Sequence, residues 1–226
     1  MKKIILGRSG LETGCIGAEC GSLLSVSFGE SRCRLQRALS CGITFFDIGM
    51  PEEELQKRIG HGLVGQRSQV LLAGSFVPDT PQKFQKQLEQ VLRGLKTDYL
   101  DLCQIHDPDY MPRRGDAEGV YDAMLQAREK GYIRNIGITT GSLNVLLHAL
   151  EFGWYDTVQY PWTSQSSEEE LELLRFCTDA QMGSISAPPD TLPEDFAKEQ
   201  AFLQAFDGHL SLWKLDEALT DGLEKA

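Results

Sequence analysis

The residues with the clearest chemical potential are His106, Asp107 and Asp109, which close the stretch from Asp98 to Asp109. They follow Tyr99 to Ile105, an apolar run with the length and composition of a strand buried on both faces. An imidazole and carboxylates placed where such a strand leaves the core can donate and accept protons. Asp47 stands in the same way near the end of a second apolar run, Thr44 to Gly49, and Glu19 near the end of a third, Cys15 to Cys20. In parallel α/β proteins, ligands are bound at the carboxyl ends of strands. If these runs share one sheet, Glu19, Asp47, His106 and Asp107 converge at its mouth. That set suits general acid–base chemistry: an elimination, an isomerisation or a hydrolysis. The plainer account is that Asp47 and His106 satisfy local hydrogen bonds at strand ends. A divalent metal is a weaker reading, because no two-histidine spacing supports it.

What must position these groups is an alternation of strands and helices. Strands are expected at Cys15 to Cys20, Thr44 to Gly49, Val70 to Phe76, Tyr99 to Ile105, Asn135 to Thr140, Thr157 to Trp162, Gly183 to Pro188 and His209 to Trp213. Between them lie helical patterns. Ser31 is read as the cap of one from Arg32 to Ser40, and Pro51 with three glutamates opens another to Gly60. Thr80 and Pro81 start the clearest, with Phe84, Leu88, Val91, Leu92 and Leu95 at helical spacing. Further helices are expected over Asp116 to Lys130, from Ser142 to Phe152, after Ser167, over Pro193 to Phe206 and over Asp216 to Lys225. Lys3 to Leu6, the turn GRSG and LETGC read as a β-hairpin.

Strand and helix in strict alternation imply a parallel sheet covered by helices. Eight units without a linker give one domain, residues 1–226, in the α/β class: a (β/α)8 TIM barrel with an N-terminal β-hairpin. A doubly wound open sheet is the alternative, but no GxGxxG follows the first strand. The last forty residues carry the weakest strand signal, so a barrel reduced or incomplete at its C-terminal end is also open. An incomplete barrel would expose an edge that a homo-oligomer or a partner subunit would have to cover.

Composition narrows the partners. The chain has 226 residues, 41% hydrophobic and 24% charged, as a soluble globular protein does. A net charge of −11 argues against a nucleic acid or an anionic membrane as partner. No apolar run is long enough to span a bilayer, and the four-residue apolar patch near Met1 is too short for a signal peptide. Six cysteines without a CxxC pair weaken a zinc or dithiol site. Together these features place the protein in the reducing cytoplasm.

Several segments carry a family resemblance. LGRSGLETGCIGAEC resembles the opening hairpin and first strand of aldo-keto reductases, and ALSCGITFFDIG the segment ending in their active-site aspartate. DYLDLCQIHDPD and GYIRNIGITTGS resemble the histidine strand and the one after it, and VQYPWTSQ the strand whose glutamine contacts nicotinamide. The likeness runs from Leu6 to Pro188. It implies a (β/α)8 barrel and NADPH-dependent carbonyl reduction by an aspartate, tyrosine, lysine and histidine. By this resemblance Asp47 and His106 are the catalytic aspartate and histidine, and Thr139, Thr140 and Gln159 the cofactor-binding residues. The tyrosine position falls near Glu52 and the lysine position at Gly74 or Ser75, so two of the four catalytic groups are replaced. Ser186 or Ala187 stands where an aromatic stacks on the nicotinamide. The loop PPDTLPED is short and acidic, and only Lys214 is basic near the expected 2′-phosphate site. NADP(H) is thus the cofactor implied, met by poor charge complementarity.

Three readings follow. In the first, the chain has lost reduction and binds a small-molecule ligand or a partner at the mouth, as a pseudoenzyme. In the second, Asp47 and His106 serve a non-redox acid–base reaction. In the third, reduction persists with Tyr110 or Tyr160 as a substitute donor.

Overall fold

The computed structural model describes residues 1–106, 110–117, 119–187 and 196–225. The chain opens with a hairpin of β1 (Lys3–Ile5) and β2 (Glu12–Gly14). Eight parallel strands follow: β3 (Ile16–Glu19), β4 (Phe45–Asp47), β5 (Leu71–Phe76), β6 (Leu100–His106), β7 (Ile133–Thr139), β8 (Thr157–Tyr160), β9 (Gly183–Ser186) and β10 (His209–Lys214). The helices between and after them are α1 (Phe28–Ser40), α2 (Glu53–Gly62), α3 (Pro81–Leu95), α4 (Val120–Glu129), α5 (Leu143–Phe152), α6 (Glu168–Asp179), α7 (Phe196–Leu203) and α8 (Glu217–Lys225).

The strands close in the order β10-β3-β4-β5-β6-β7-β8-β9. β10, the strand the sequence marked most weakly, pairs on one side with β9 and on the other with β3 over Ser211 to Lys214. The backbone N–H of Leu215 extends the second pairing by donating to Glu19 O at 2.8 Å. The barrel is therefore complete at its C-terminal end, and the exposed edge that would have called for a covering subunit does not exist. The hairpin lies against the start of β9, where Gly7 (φ 47°) bridges to Met182. A Cβ on Gly7 would stand 2.5 Å from Gln181 O, so only glycine fits both the backbone angle and the contact.

Local chemistry explains most helix starts. Thr80 accepts from Lys83 N with Pro81 in the first turn, and Ser167 forms a full capping box with Glu170. Two boundaries differ from the expectation. α1 starts a turn earlier, because Ser27 takes the cap by accepting from Glu30 N, while Ser31 is buried and donates to Ser27 O at 3.0 Å and Leu23 O at 3.2 Å. α4 starts later, after Gly119 in a left-handed conformation, and the preceding Asp116 accepts from Tyr110 and from Arg113 N. An Asp that satisfies a loop is not available to start a helix.

Beneath the strands, Asp101 of β6 is 1% exposed and paired with Arg67 at 2.8 Å and Arg134 at 3.4 Å. Both guanidiniums also lie 3.8 Å from the Tyr99 ring centroid. This clasp ties the segment before β5 to β6 and β7.

Candidate active site at the mouth of the barrel

Register decides which side chains share the mouth. Lys214 is level with Glu19, Glu19 with Asp47, and Asp47 with Ala73, giving one row across β10, β3, β4 and β5. His106 is level with Thr139 and Thr139 with Gln159, giving a second row across β6, β7 and β8. Among the eight residues that end the barrel strands, Lys214 is the only lysine or arginine.

Hydrogen bonds join the two rows. Gln104 donates to Gln159 Oε1 at 2.7 Å and reaches Ser75 Oγ at 3.5 Å, which in turn lies 3.5 Å from Thr139 Oγ1. The Gln159 side chain also favours the ionised form of the Asp47 carboxyl. β4 and β8 stand on opposite sides of the barrel, so this influence acts across its interior. Gln104 is missed by motif reading, yet a period of two through Leu102, Gln104 and His106 marks it as facing inward.

Asp47 is 3% exposed and its Oδ1 accepts from Gly49 N at 2.9 Å. Burial pushes its carboxyl up to about 6, Glu19 adds to the rise, and the Gly49 N–H and the Gln159 side chain oppose it. Burial raises Glu19 as well, opposed by the Gly21 N–H and the charge of Lys214. The Cys20 thiol is pushed well up by burial and by both carboxylates, which suits an inert buried cysteine. A carboxyl that titrates near neutrality can both give and take a proton.

A sequence model of the aldo/keto reductase family matches residues 3–189. The chain belongs to the aldo/keto reductase family. Among curated members, it is 28% identical over 167 residues to aldo-keto reductase YhdN of Bacillus subtilis, covering 67% of this chain and 49% of that one. To L-galactose dehydrogenase of Arabidopsis thaliana it is 26% identical over 204 residues, 81% of this chain and 64% of that one. It thus spans about half to two thirds of these relatives. Two solved structures share the fold: aldo-keto reductase AKR11C1 from Bacillus halodurans in its holo form (TM-score 0.83, 18% identity, 100% of this chain and 90% of that one) and an aldo/keto reductase from Klebsiella pneumoniae in complex with NADP and acetate (TM-score 0.79, 19% identity, 100% and 89%).

Within this family member, the site residues expected from sequence fall as follows. Asp47 and His106 do end barrel strands, but in different rows. Thr139 is buried beside Ser75, while Thr140 Oγ1 accepts from Ser142 N at 3.0 Å ahead of α5. Gln159 is engaged inside the barrel, its Oε1 accepting from Gln104 at 2.7 Å. Asp107, Asp109 and residues 188–195 lie outside the described residues. Glu52, near the tyrosine position, is an exposed cap whose carboxylate accepts from Glu54 N at 3.4 Å. Ser75 and Gly74 stand at the lysine position on β5.

The six tyrosines are all accounted for. Tyr99 is held between Arg67 and Arg134, and Tyr132 is exposed. Tyr121 donates to Trp154 O at 2.7 Å and Tyr155 to Pro112 O at 2.6 Å. The two expected substitute donors are both committed. Tyr110 donates to Asp116, and Tyr160 faces α6, donating to Glu170 at 2.7 Å. Burial and the Glu170 charge push the Tyr160 phenol above its ordinary value.

Proposed function

We propose that this family member has left NADPH-dependent carbonyl reduction by the family's route and acts in the cytoplasm as a ligand-binding pseudoenzyme at the barrel mouth. One observation carries the reading: every tyrosine hydroxyl with a hydrogen-bond partner named above is already donating to another group, and no lysine stands at the end of β5. An alkoxide forming in a transition state needs a positioned donor. Glu52, ionised, would repel it.

The dinucleotide is likewise poorly served. The Gln159 Oε1 already accepts from Gln104. Ser186 is a small buried residue where an aromatic would stack, and the charge of Lys214 is directed to Glu19. These residues do not fit the cofactor, so no step through it is derived.

Titration of the purified protein with NADPH and NADP, read by calorimetry and cofactor fluorescence, tests this directly. No saturation at about millimolar cofactor is expected, together with no turnover of aldehydes or ketones. Micromolar binding with carbonyl reduction would overturn the reading.

A second reading has its own support. The Asp47 carboxyl, pushed up to about 6, has the poise of a general acid or base for a non-redox reaction.

A further inference from the structure

The Asp47 carboxyl is 3% exposed, and no cation among the described residues contributes to its environment. Its neighbours in register are Glu19, which repels it, and Ala73, which is too small to reach it. The one cation of the row, Lys214, lies a strand further away and acts on Glu19. A carboxylate held in the interior without a cation is costly, and a ligand that brings one recovers much of that cost.

Glu19 presents a second carboxylate. Just below Gln159, the Gln104 Oε1 is fully buried and has no hydrogen-bond partner among the described residues. Its own NH2 is spent on Gln159 and Ser75. The matching ligand is therefore rich in donors and positively charged.

Space and the lip of the mouth add the rest. β5 presents only the short side chains of Ala73 and Ser75 at the levels of Asp47 and Gln104. The three loops leaving β3, β4 and β5 carry exposed Leu24, Met50 and Val77. These apolar groups rim the mouth on the same side as the two carboxylates.

We propose that the mouth takes a small amphipathic organic cation, an alkyl- or arylammonium, with its charged head against Asp47 and Glu19 and its apolar part against the Leu24, Met50 and Val77 lip. The assignment rests on the ligand-binding reading above and names its ligand class. Among the described residues, Lys214 on β10, Cys20 just after β3 and His106 on β6 are the remaining titratable groups around this point. Lys214 sets a limit on the head group, since a dication would meet it.

The test is calorimetric titration at about pH 8 with n-hexylamine and benzylamine, against hexanol, benzyl alcohol and hexanoate. Saturable one-to-one binding of the amines is expected, at least about tenfold tighter than of the alcohols, with none of hexanoate. Asp47→Asn should weaken the amines by about tenfold or more and leave the alcohols unchanged. Ser75→Lys, which places a cation inside the protein, should abolish amine binding while keeping a native melting transition. Equal affinity for amine and alcohol would overturn the assignment. So would amine binding undiminished in whichever of these variants folds, because that binding would belong to the acidic surface.

The cofactor titration is run without amine, so the two ideas fail separately. NADPH binding with turnover removes the ligand-binding reading itself, whereas silent amines with silent NADPH remove only the ligand class.

Discussion

At the scale of single residues, two buried titratable groups pull stability in opposite directions with pH. The Asp47 carboxyl sits at about 6 in the fold, above its ordinary 3.8. Its protonated form thus suits the fold: the benefit is full below about pH 4 and is lost as pH rises through 6. Asp47→Asn should stabilise by about 2–3 kcal/mol at pH 8, shrinking to about half near pH 5, as read by urea unfolding. His209, 1% exposed with Nδ1 2.9 Å from Ser184 Oγ, is depressed by burial from 6.5 to about 3. Its neutral form is the native one, so stability is full above about pH 6.5 and falls as the solution is acidified towards 3. Between pH 7 and pH 5 the wild-type protein should lose about 2 kcal/mol that His209→Gln retains, since glutamine can still bond Ser184. Asp47 and His106 were legible in sequence because each ends an apolar run. Gln104 and its contact with Gln159 were not, because which side chains meet inside a barrel depends on strand register rather than on spacing along the chain.

Helices and strands were legible wherever a side chain had a single local task. Thr80 with Pro81, and Ser167 with Glu170, gave their helices away by capping chemistry alone. Ser31 and Asp116 misled because each satisfies a loop or an earlier turn, a choice set by tertiary contacts. The crossing of α2 on α3 is another feature without a motif. A Cβ on Gly60 would stand 2.7 Å from Gly94 O and 2.8 Å from Leu95 O, both backbone atoms that cannot step aside. Gly60→Ala should therefore destabilise by about 1–3 kcal/mol despite its gain in helix propensity, a sign that thermal melting reads directly.

For the molecule as a whole, closure is decided by its least conspicuous strand. HLSLWK alternates too little to announce itself, yet it supplies both pairings that turn seven strands into a ring. A chain ending at residue 208 would leave β9 and β3 as open edges, and it should elute as aggregate rather than monomer in size-exclusion chromatography. Inside the closed ring, Asp47 and Gln159 belong to opposite walls, and the Gln159 side chain holds the carboxyl's affinity for protons down. Whatever drew Gln159 away would raise that affinity. A neutral molecule capturing the Gln159 amide near neutral pH would then draw protons from solution as it entered, whereas a positively charged one settling on Asp47 would release them, so proton uptake would tell the two apart by charge.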